Sequence, residues 1–165
     1  MVPPSQVKVS ILNRSQRIAP SAKIRKAIQC ALGQFQINEG AVSVLITTDE
    51  EQKALNLNFR GIPTTTDVLT FPAAPNFPGQ KPVPLGDISI SYDQAVFQAQ
   101  LRKVPARDEI VMLAIHGALH LAGLDDETES QRAEMLDVMN QIAVQVCIPT
   151  DANWSSQVKK REAVR

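Results

Sequence analysis

The 165-residue sequence predicts an α/β (α+β) fold: a single compact domain with a small mixed four-stranded sheet, about five covering helices and a central helix that carries both histidines. Segments rich in β-branched residues alternate along the chain with segments whose apolar residues recur at helical spacing. Hydrophobic residues make up 44% of the chain, which is enough for one buried core at this length. The segment from Ile110 to Leu121 is apolar on nearly every side, so we expect it at the centre of the domain.

The first part of the chain predicts a strand, a helix and a second strand. Val7, Val9 and Ile11 alternate with polar residues, which is typical of a strand. The next segment, 21–36, predicts a helix with one apolar stripe, made by Ile24, Ile28, Leu32 and Phe35. Residues 41–47 form a continuous β-branched-rich run that predicts a buried strand. A strand, a helix and a strand in this order predict a right-handed crossover between parallel strands.

A second helix is predicted directly after this strand. Thr48 as the cap and Glu51 three residues later fit a capping box. The helix is expected to continue through Phe59, and Gly61 can end it because glycine adopts the left-handed backbone conformation without strain.

Two short strands and a proline-rich segment follow. Residues 66–71 predict a strand, which Pro72 ends because proline cannot donate a hydrogen bond to a neighbouring strand. The segment from Pro72 to Pro84 contains five prolines, so we expect an exposed, mobile loop at the rim of the functional site. Residues 86–91 alternate again and predict a fourth strand, followed by a helix over about 93–102.

The last two helices complete the predicted domain. The histidine-bearing helix is expected to begin near Pro105 and to run to Ala122. A final helix is expected to begin near Thr128 and has apolar residues at helical spacing: Met135, Val138, Met139, Ile142 and Val146. The domain is therefore predicted to span 1–149. Residues 150–165 are polar and basic and are expected to form a flexible C-terminal tail.

Charge is balanced in total but uneven along the chain. The sequence has 17 basic and 17 acidic residues, yet residues 1–30 contain six bases and no acid, and residues 108–151 contain nine acids and only Arg132 as a base. A basic first helix could steer RNA, so the neutral total does not exclude an anionic partner. The alternative, which charge alone favours, is that both regions are ordinary solvated helix faces.

The sequence also predicts a cytoplasmic protein. It shows neither a charged-then-apolar leader nor an apolar run near 18 residues, so neither a signal peptide nor a membrane span is expected. Cys30 and Cys147 form no C-x-x-C pair and are interpreted as buried free thiols, which fits a reducing compartment.

The chemically informative motif is H-x-x-x-H-x-x-G-x-x-D. His116 and His120 lie four residues apart, so on a helix they project from one face about one turn apart. Gly123 can end that helix, and the returning chain offers Asp125 and Asp126 as a third, oxygen ligand. Three protein ligands with an open fourth position are the arrangement of a catalytic zinc. The alternative is a polar helix surface, but the apolar neighbours oppose it because buried imidazoles need partners.

Three ordered motifs together resemble the YbeY family of bacterial endoribonucleases, which mature ribosomal RNA. The motifs are Asn58-Phe-Arg60 to Thr66-Asp-Val-Leu-Thr-Phe-Pro72, Gly86-Asp-Ile-Ser-Ile-Ser91 and His116-Gly-Ala-Leu-His120-Leu-Ala-Gly123-Leu-Asp125-Asp126. The resemblance implies a compact α/β domain, a zinc ion held by three histidines and an arginine that faces the metal. It also implies a role at the 3′ end of 16S ribosomal RNA, in the small ribosomal subunit, and in ribosome quality control. By position, His116 and His120 match the first two ligands, and Arg60 matches the arginine.

One position departs from the family pattern. The family motif ends Gly-Tyr-Asp-His, whereas this chain reads Gly123-Leu124-Asp125-Asp126, so an aspartate replaces the third histidine. Zinc accepts a carboxylate oxygen beside two histidines, although the added negative charge should make a bound water less acidic. The resulting hypothesis is one Zn²⁺ held by His116, His120 and Asp126, with Arg60 and His116 as catalytic residues.

Three functions are compatible with these motifs. The favoured one is a metal-dependent, single-strand-specific endoribonuclease whose partners are ribosomal RNA and, in addition, ribosome-associated proteins, without a membrane or an organic cofactor. The second is a ribosome-assembly protein whose metal site is weakened or inactive. The third is a metalloprotease, which the sequence opposes because proteases with a similar motif place a glutamate after the first histidine, and this chain has Gly117 there.

Overall fold

The computed structural model describes residues 4–74 and 78–156 and confirms the predicted fold class. In chain order the elements are β1 (Gln6–Asn13), α1 (Ser21–Gly33), β2 (Glu39–Thr47), α2 (Asp49–Arg60), β3 (Val68–Pro72), β4 (Pro84–Ser91), α3 (Tyr92–Arg102), α4 (Ala106–Leu121) and α5 (Glu129–Gln145). Within these described ranges no helix combines the length and the apolar composition of a membrane span.

The four strands form one mixed sheet in the order β1-β2-β4-β3. β1 pairs with β2 in parallel, as the strand, helix and strand pattern predicts, and β2 pairs with β4 in parallel. β3 lies antiparallel to β4 at one edge, where Pro72, its last residue, pairs with Gly86. Proline is tolerated at this position because an edge strand bonds to only one neighbour.

Helix α4 lies at the centre of the molecule. Every residue from Glu109 to Leu119 is buried, as its nearly uniform apolar sequence predicts. The helix packs against β3 and β4 on one face of the sheet and is flanked by α1, α3 and α5. Because successive strand residues point to opposite faces, Ser89 of β4 faces the other side, where its hydroxyl is hydrogen-bonded to the side chain of Gln52 in α2.

Local signals set the ends of the helices near the site. Gly61 ends α2 with a left-handed backbone (φ 70°), as predicted. The capping box predicted for α2 is only half formed, since Thr48 accepts from the Glu51 amide while the Glu51 carboxylate accepts from Thr47 instead. A complete capping box begins α5, where Thr128 and Gln131 satisfy each other's backbone amides.

The structure differs from the expectations at two places and leaves another open. Helix α1 ends at Gly33, before Phe35, which therefore lies beyond the helix. Cys147 is exposed and follows α5 with a φ of 60°, so the prediction of a buried thiol is wrong there. Residues 73–74 and 78–83 form neither helix nor strand, whereas 75–77 lie outside the described residues. The mobility of this loop and its place at the rim stay predictions.

Close packing between α4 and β4 makes Gly117 sensitive to substitution. A Cβ atom built there would lie 2.9 Å from Ile88 Cγ2 and 3.2 Å from Thr70 Cγ2. Alanine favours a helix over glycine by about 1 kcal/mol, but overpacking a core costs about 1–3 kcal/mol. We expect Gly117→Ala to lower the free energy of unfolding by about 1 kcal/mol in chemical denaturation.

Gly33→Ala provides the matched control, because its nearest neighbour would be Asn38 Oδ1 at 3.7 Å, an ordinary contact. That substitution should be neutral or stabilising. Equal stabilisation by both substitutions would contradict the packing account of Gly117.

Candidate metal site and its cleft

His116 and His120 face each other on one side of α4. The two Nε2 atoms lie 3.1 Å apart, and the rings meet edge to face with centroids 4.6 Å apart. His116 is almost fully buried, whereas His120 is half-buried. The four-residue spacing therefore produces the convergence that the sequence predicts.

The chain returns to this pair through a turn at the end of α4. Gly123 has a φ of 104°, which a residue with a side chain rarely adopts, and the amide of Leu124 donates to the carbonyl of Leu119 at 3.0 Å. The turn places Asp126 Oδ2 3.4 Å from His116 Nε2 and 3.7 Å from His120 Nε2. The three ligand atoms lie within 4.8 Å of one another. Asp126, and not Asp125, thus joins the two histidines.

The donor set of this cluster fits a cation. His120 Nδ1 lies 3.0 Å from the carbonyl oxygen of Leu124, so this nitrogen must carry the proton and donate it. In the neutral ring the Nε2 lone pair then points at His116 and Asp126. A hydrogen bond from the His116 ring is the largest cause that holds the pKa of the Asp126 carboxyl well below its usual range, so this side chain is ionised. Two imidazoles and one carboxylate in this arrangement could hold a metal ion.

The cluster opens into a cleft of about 820 Å³. The lining residues are Arg60, Val68, Thr70, His116, His120, Asp125, Asp126, Glu127, Arg132, Ser155 and Ser156. Arg60, the last residue of α2, therefore lines the same cleft as the histidines, and its place facing a metal stays a prediction. Asp125 is exposed at the rim of the cleft and accepts no hydrogen bond from the described residues.

The cleft also contains Arg132, which sequence analysis did not assign to the site. Its guanidinium Nη1 donates to the carbonyl oxygens of Asp126 at 3.2 Å and Glu127 at 2.8 Å. The side chain therefore ties the start of α5 to the turn that carries Asp126. A signal was present in the sequence, since Arg132 is the only basic residue in the acidic segment 108–151.

Asp67 is hydrogen-bonded to two residues that line the cleft, Val68 and Ser156. The side chain is fully buried and accepts from the Val68 amide at 2.7 Å, from Gln98 at 3.1 Å and from the Ser156 hydroxyl at 3.0 Å. Through its bond to the Val68 amide, Asp67 caps the turn before β3. The bond to Ser156 connects this turn to the C-terminal part of the chain.

Residues 151–156 form a segment that we call the C-terminal clasp. The indole of Trp154 is buried, its N–H donates to Glu109 Oε1 at 2.8 Å, and Arg102 lies over its ring at 5.1 Å. The centroid of the same ring is 5.2 Å from that of His116. From the sequence these residues are expected in the flexible tail, because one tryptophan in a polar segment has no periodicity. Residues 157–165 lie outside the described residues, and the boundary at 149 stays a prediction.

Comparison with known proteins finds one matching family model and relatives with similar sequences. The family model described as Endoribonuclease YbeY matches residues 10–146. The proteins named Endoribonuclease YbeY from Nitrobacter winogradskyi and Chloroflexus aggregans are 36% and 39% identical to the chain. These matches cover 78% and 72% of this chain and 70% and 82% of the respective relatives.

A solved structure is similar over nearly the whole fold. The solution structure of the Thermotoga maritima protein TM1509 matches with a TM-score of 0.59 and 24% sequence identity. The match covers 94% of this chain and 93% of that protein. At this identity the likeness establishes the fold alone.

Glu109, the carboxylate beneath Trp154, should make stability depend on pH. Burial, the largest cause, raises the pKa of Glu109 from 4.5 to about 7, although Arg102 and the Trp154 N–H oppose the rise. The pKa of Glu109 is higher in the folded protein than in the unfolded chain. The stability that its protonated carboxyl contributes is therefore complete below pH 4.5 and is lost as the pH rises through about 7. The full effect is roughly 3 kcal/mol at 1.36 kcal/mol per pKa unit.

Glu109→Gln keeps an acceptor for Trp154 but cannot ionise. We expect its free energy of unfolding, relative to the unmodified protein, to increase as the pH rises across this window. Urea denaturation at a series of pH values measures the difference, with exposed Glu50→Gln as the control. A difference that is constant with pH would contradict the assignment.

Proposed function

The chain belongs to the YbeY endoribonuclease family, and on this premise we propose that it is a metal-dependent endoribonuclease that cleaves single-stranded RNA. The proposed substrate is ribosomal RNA of the small subunit, cut near the 3′ end of 16S ribosomal RNA during maturation and ribosome quality control in the cytoplasm. The single observation that carries the proposal is the convergence of His116, His120 and Asp126 in a cleft that also contains Arg60.

The proposed ligands of one divalent ion are His116 Nε2, His120 Nε2 and Asp126 Oδ2. Zinc is the proposed metal, because two nitrogen donors and one carboxylate form an established zinc site. When bound, the ion would supply Lewis acidity toward the phosphodiester and toward water. The backbone carbonyl of Leu124 orients His120 for this role, and Arg132 holds the turn that presents Asp126.

Charge in the cleft supports a link between metal and RNA. Among the lining residues, Asp125, Asp126 and Glu127 outnumber Arg60 and Arg132 by one charge when the histidines are neutral. A polyanion would therefore meet a slightly unfavourable field. A divalent ion would reverse the balance to one positive charge, so RNA should bind more tightly to the metal-loaded protein.

Arg60 is the proposed contact for the phosphoryl oxygens. It ends α2 directly before the left-handed turn at Gly61, so a rigid helix holds its backbone while its exposed side chain reaches the cleft. The planar guanidinium can donate two parallel hydrogen bonds to one phosphate, which an ammonium group cannot do. Negative charge that develops on these oxygens during cleavage would be stabilised in this way.

The changed third ligand favours one alternative, in which the protein assists ribosome assembly and its metal site is weakened or inactive. A carboxylate in place of a neutral imidazole reduces the net charge of the loaded site. The metalloprotease hypothesis has little support, because Gly117 is packed against Ile88 and the position has no space for a catalytic glutamate side chain.

Cleavage of a single-stranded fragment from the 3′ end of 16S ribosomal RNA tests the proposal. The zinc-loaded protein should cut the fragment, a chelator should stop the reaction, and His116→Ala should be inactive. Arg60→Lys should retain its metal and its fold but lose about 100-fold in cleavage rate, the usual scale for one preorganised donor.

Arg14→Lys is the matched control, because this exposed arginine pairs with Glu51 and does not line the cleft. Its cleavage rate should equal that of the unmodified protein. If Arg60→Lys cleaves equally well, the catalytic role of Arg60 is wrong. If the zinc-loaded protein binds the RNA without cutting it, the assembly function is favoured instead.

A further inference from the structure

The C-terminal clasp lies beyond the part of the chain that the family model matches, which ends at residue 146. It nevertheless forms one wall of the candidate metal cleft through Ser155 and Ser156. Trp154 also contacts the ring of His116. A segment outside the matched region therefore touches the residue on which the metal site depends.

Several independent contacts fix the clasp in place. Arg102 donates to Asp151 Oδ2 at 3.1 Å and to the carbonyl of Ser155 at 2.8 Å. The backbone amide of Asp151 donates to the Asn140 side chain at 3.0 Å, which ties the clasp to α5. At its far end the Ser156 hydroxyl bonds the buried carboxylate of Asp67. The clasp is thus attached to α3, to α5 and to the turn before β3.

The two candidate histidine ligands are held in different ways. His120 donates from Nδ1 to the Leu124 carbonyl, which fixes the orientation of its ring. His116 Nδ1 is buried and has no hydrogen-bond partner among the described residues. Apart from the contacts of its Nε2 with His120 and Asp126, its ring is confined by two rings, that of His120 at 4.6 Å and that of Trp154 at 5.2 Å, tilted by 49°.

Trp154 is well suited to confine another ring. Its indole is anchored at Nε1 by Glu109, which is 1% exposed, and Arg102 lies over its face. An aromatic ring fixed on two sides cannot move away when the neighbouring imidazole rotates. Packing against Trp154 therefore restricts the orientation of the His116 ring, as the hydrogen bond to Leu124 fixes that of His120.

We propose that the C-terminal clasp completes the metal site and that Trp154 is the positioning residue for His116. The inference rests on the metal site of the proposed function and adds a part of the chain that lies outside the matched family region. Without Trp154, the His116 ring gains rotational freedom that metal binding must then remove. Loss of such a supporting contact lowers metal affinity by about 10- to 100-fold.

Cobalt(II) is the probe, because its visible absorption reports ligand geometry and it quenches nearby fluorescence. Trp154 is the only tryptophan in the chain, so all indole emission comes from the clasp. Titration of the unmodified protein with Co²⁺ should quench this emission and, at the same stoichiometry, produce the visible bands of a four-coordinate site. Binding that leaves the indole emission unchanged would overturn the proposal.

Variants separate positioning from general stability. Trp154→Ala should weaken Co²⁺ binding by about 10- to 100-fold in competition with a chelator and alter the visible bands. Trp154→Phe keeps a ring against His116 and should recover most of the affinity. Leu32→Ala, a buried substitution in α1 that is outside the cleft, should lower the melting temperature and leave Co²⁺ affinity unchanged.

The outcomes distinguish this proposal from the proposed function. If Trp154→Ala binds Co²⁺ like the unmodified protein, the positioning role is wrong and the metal site stands. If the unmodified protein does not bind Co²⁺ at all, the metal site of the proposed function fails as well. If Trp154→Ala does not fold, the quenching in the unmodified protein and the Co²⁺ affinity of Trp154→Phe test the positioning role of Trp154. Weak Co²⁺ binding by Trp154→Phe, or binding without quenching in the unmodified protein, would refute that role.

Discussion

The site depends on one constraint: two imidazole nitrogens and one carboxylate oxygen converge beside the buried helix α4. Polar atoms in such surroundings cost several kcal/mol unless they find partners. His120 finds one in the Leu124 carbonyl, which leaves the lone pair of its Nε2 facing the cluster, and His116 Nε2 lies 3.1 Å from this atom and 3.4 Å from Asp126 Oδ2. A cation bound between the three atoms, as proposed, would give both Nε2 atoms and the carboxylate a common partner.

Tight packing beneath the histidines limits which chemistry the site can perform. Gly117 lets α4 approach Ile88 and Thr70 closely, so the helix can present His116 and His120 at the edge of the sheet. The same packing leaves no room for an acidic side chain directly after the first histidine. Charge and hydrogen bonding must then come from other elements, namely Arg60 at the end of α2 and Arg132 in α5.

Features that depend on local spacing could be predicted from the sequence. The four-residue spacing of His116 and His120, the end of α2 at Gly61 and the parallel pairing of β1 with β2 follow from helix periodicity, backbone sterics and crossover handedness. The choice of Asp126 over Asp125 rested on the resemblance, since a turn with φ 104° at Gly123 can present either side chain.

Features that depend on long-range contacts could not be predicted. Trp154 and Glu109 are 45 residues apart, and Ser156 and Asp67 are 89 apart, so no periodic pattern connects them. A polar segment after Pro149 is typical of a flexible tail, and only the tertiary structure gives Trp154 its place against His116. Arg132 was visible as an isolated base among acids, but its contact with the Asp126 carbonyl depends on the geometry of the turn.

X-ray absorption at the zinc edge of the loaded protein tests most directly whether His116, His120 and Asp126 bind one zinc ion, as proposed. We expect nitrogen and oxygen scatterers at about 2.0–2.1 Å, with the outer scattering of two imidazole rings. The contribution of one ring should disappear in His116→Ala. A sulfur scatterer at about 2.3 Å, or a spectrum unchanged by His116→Ala, would contradict the account.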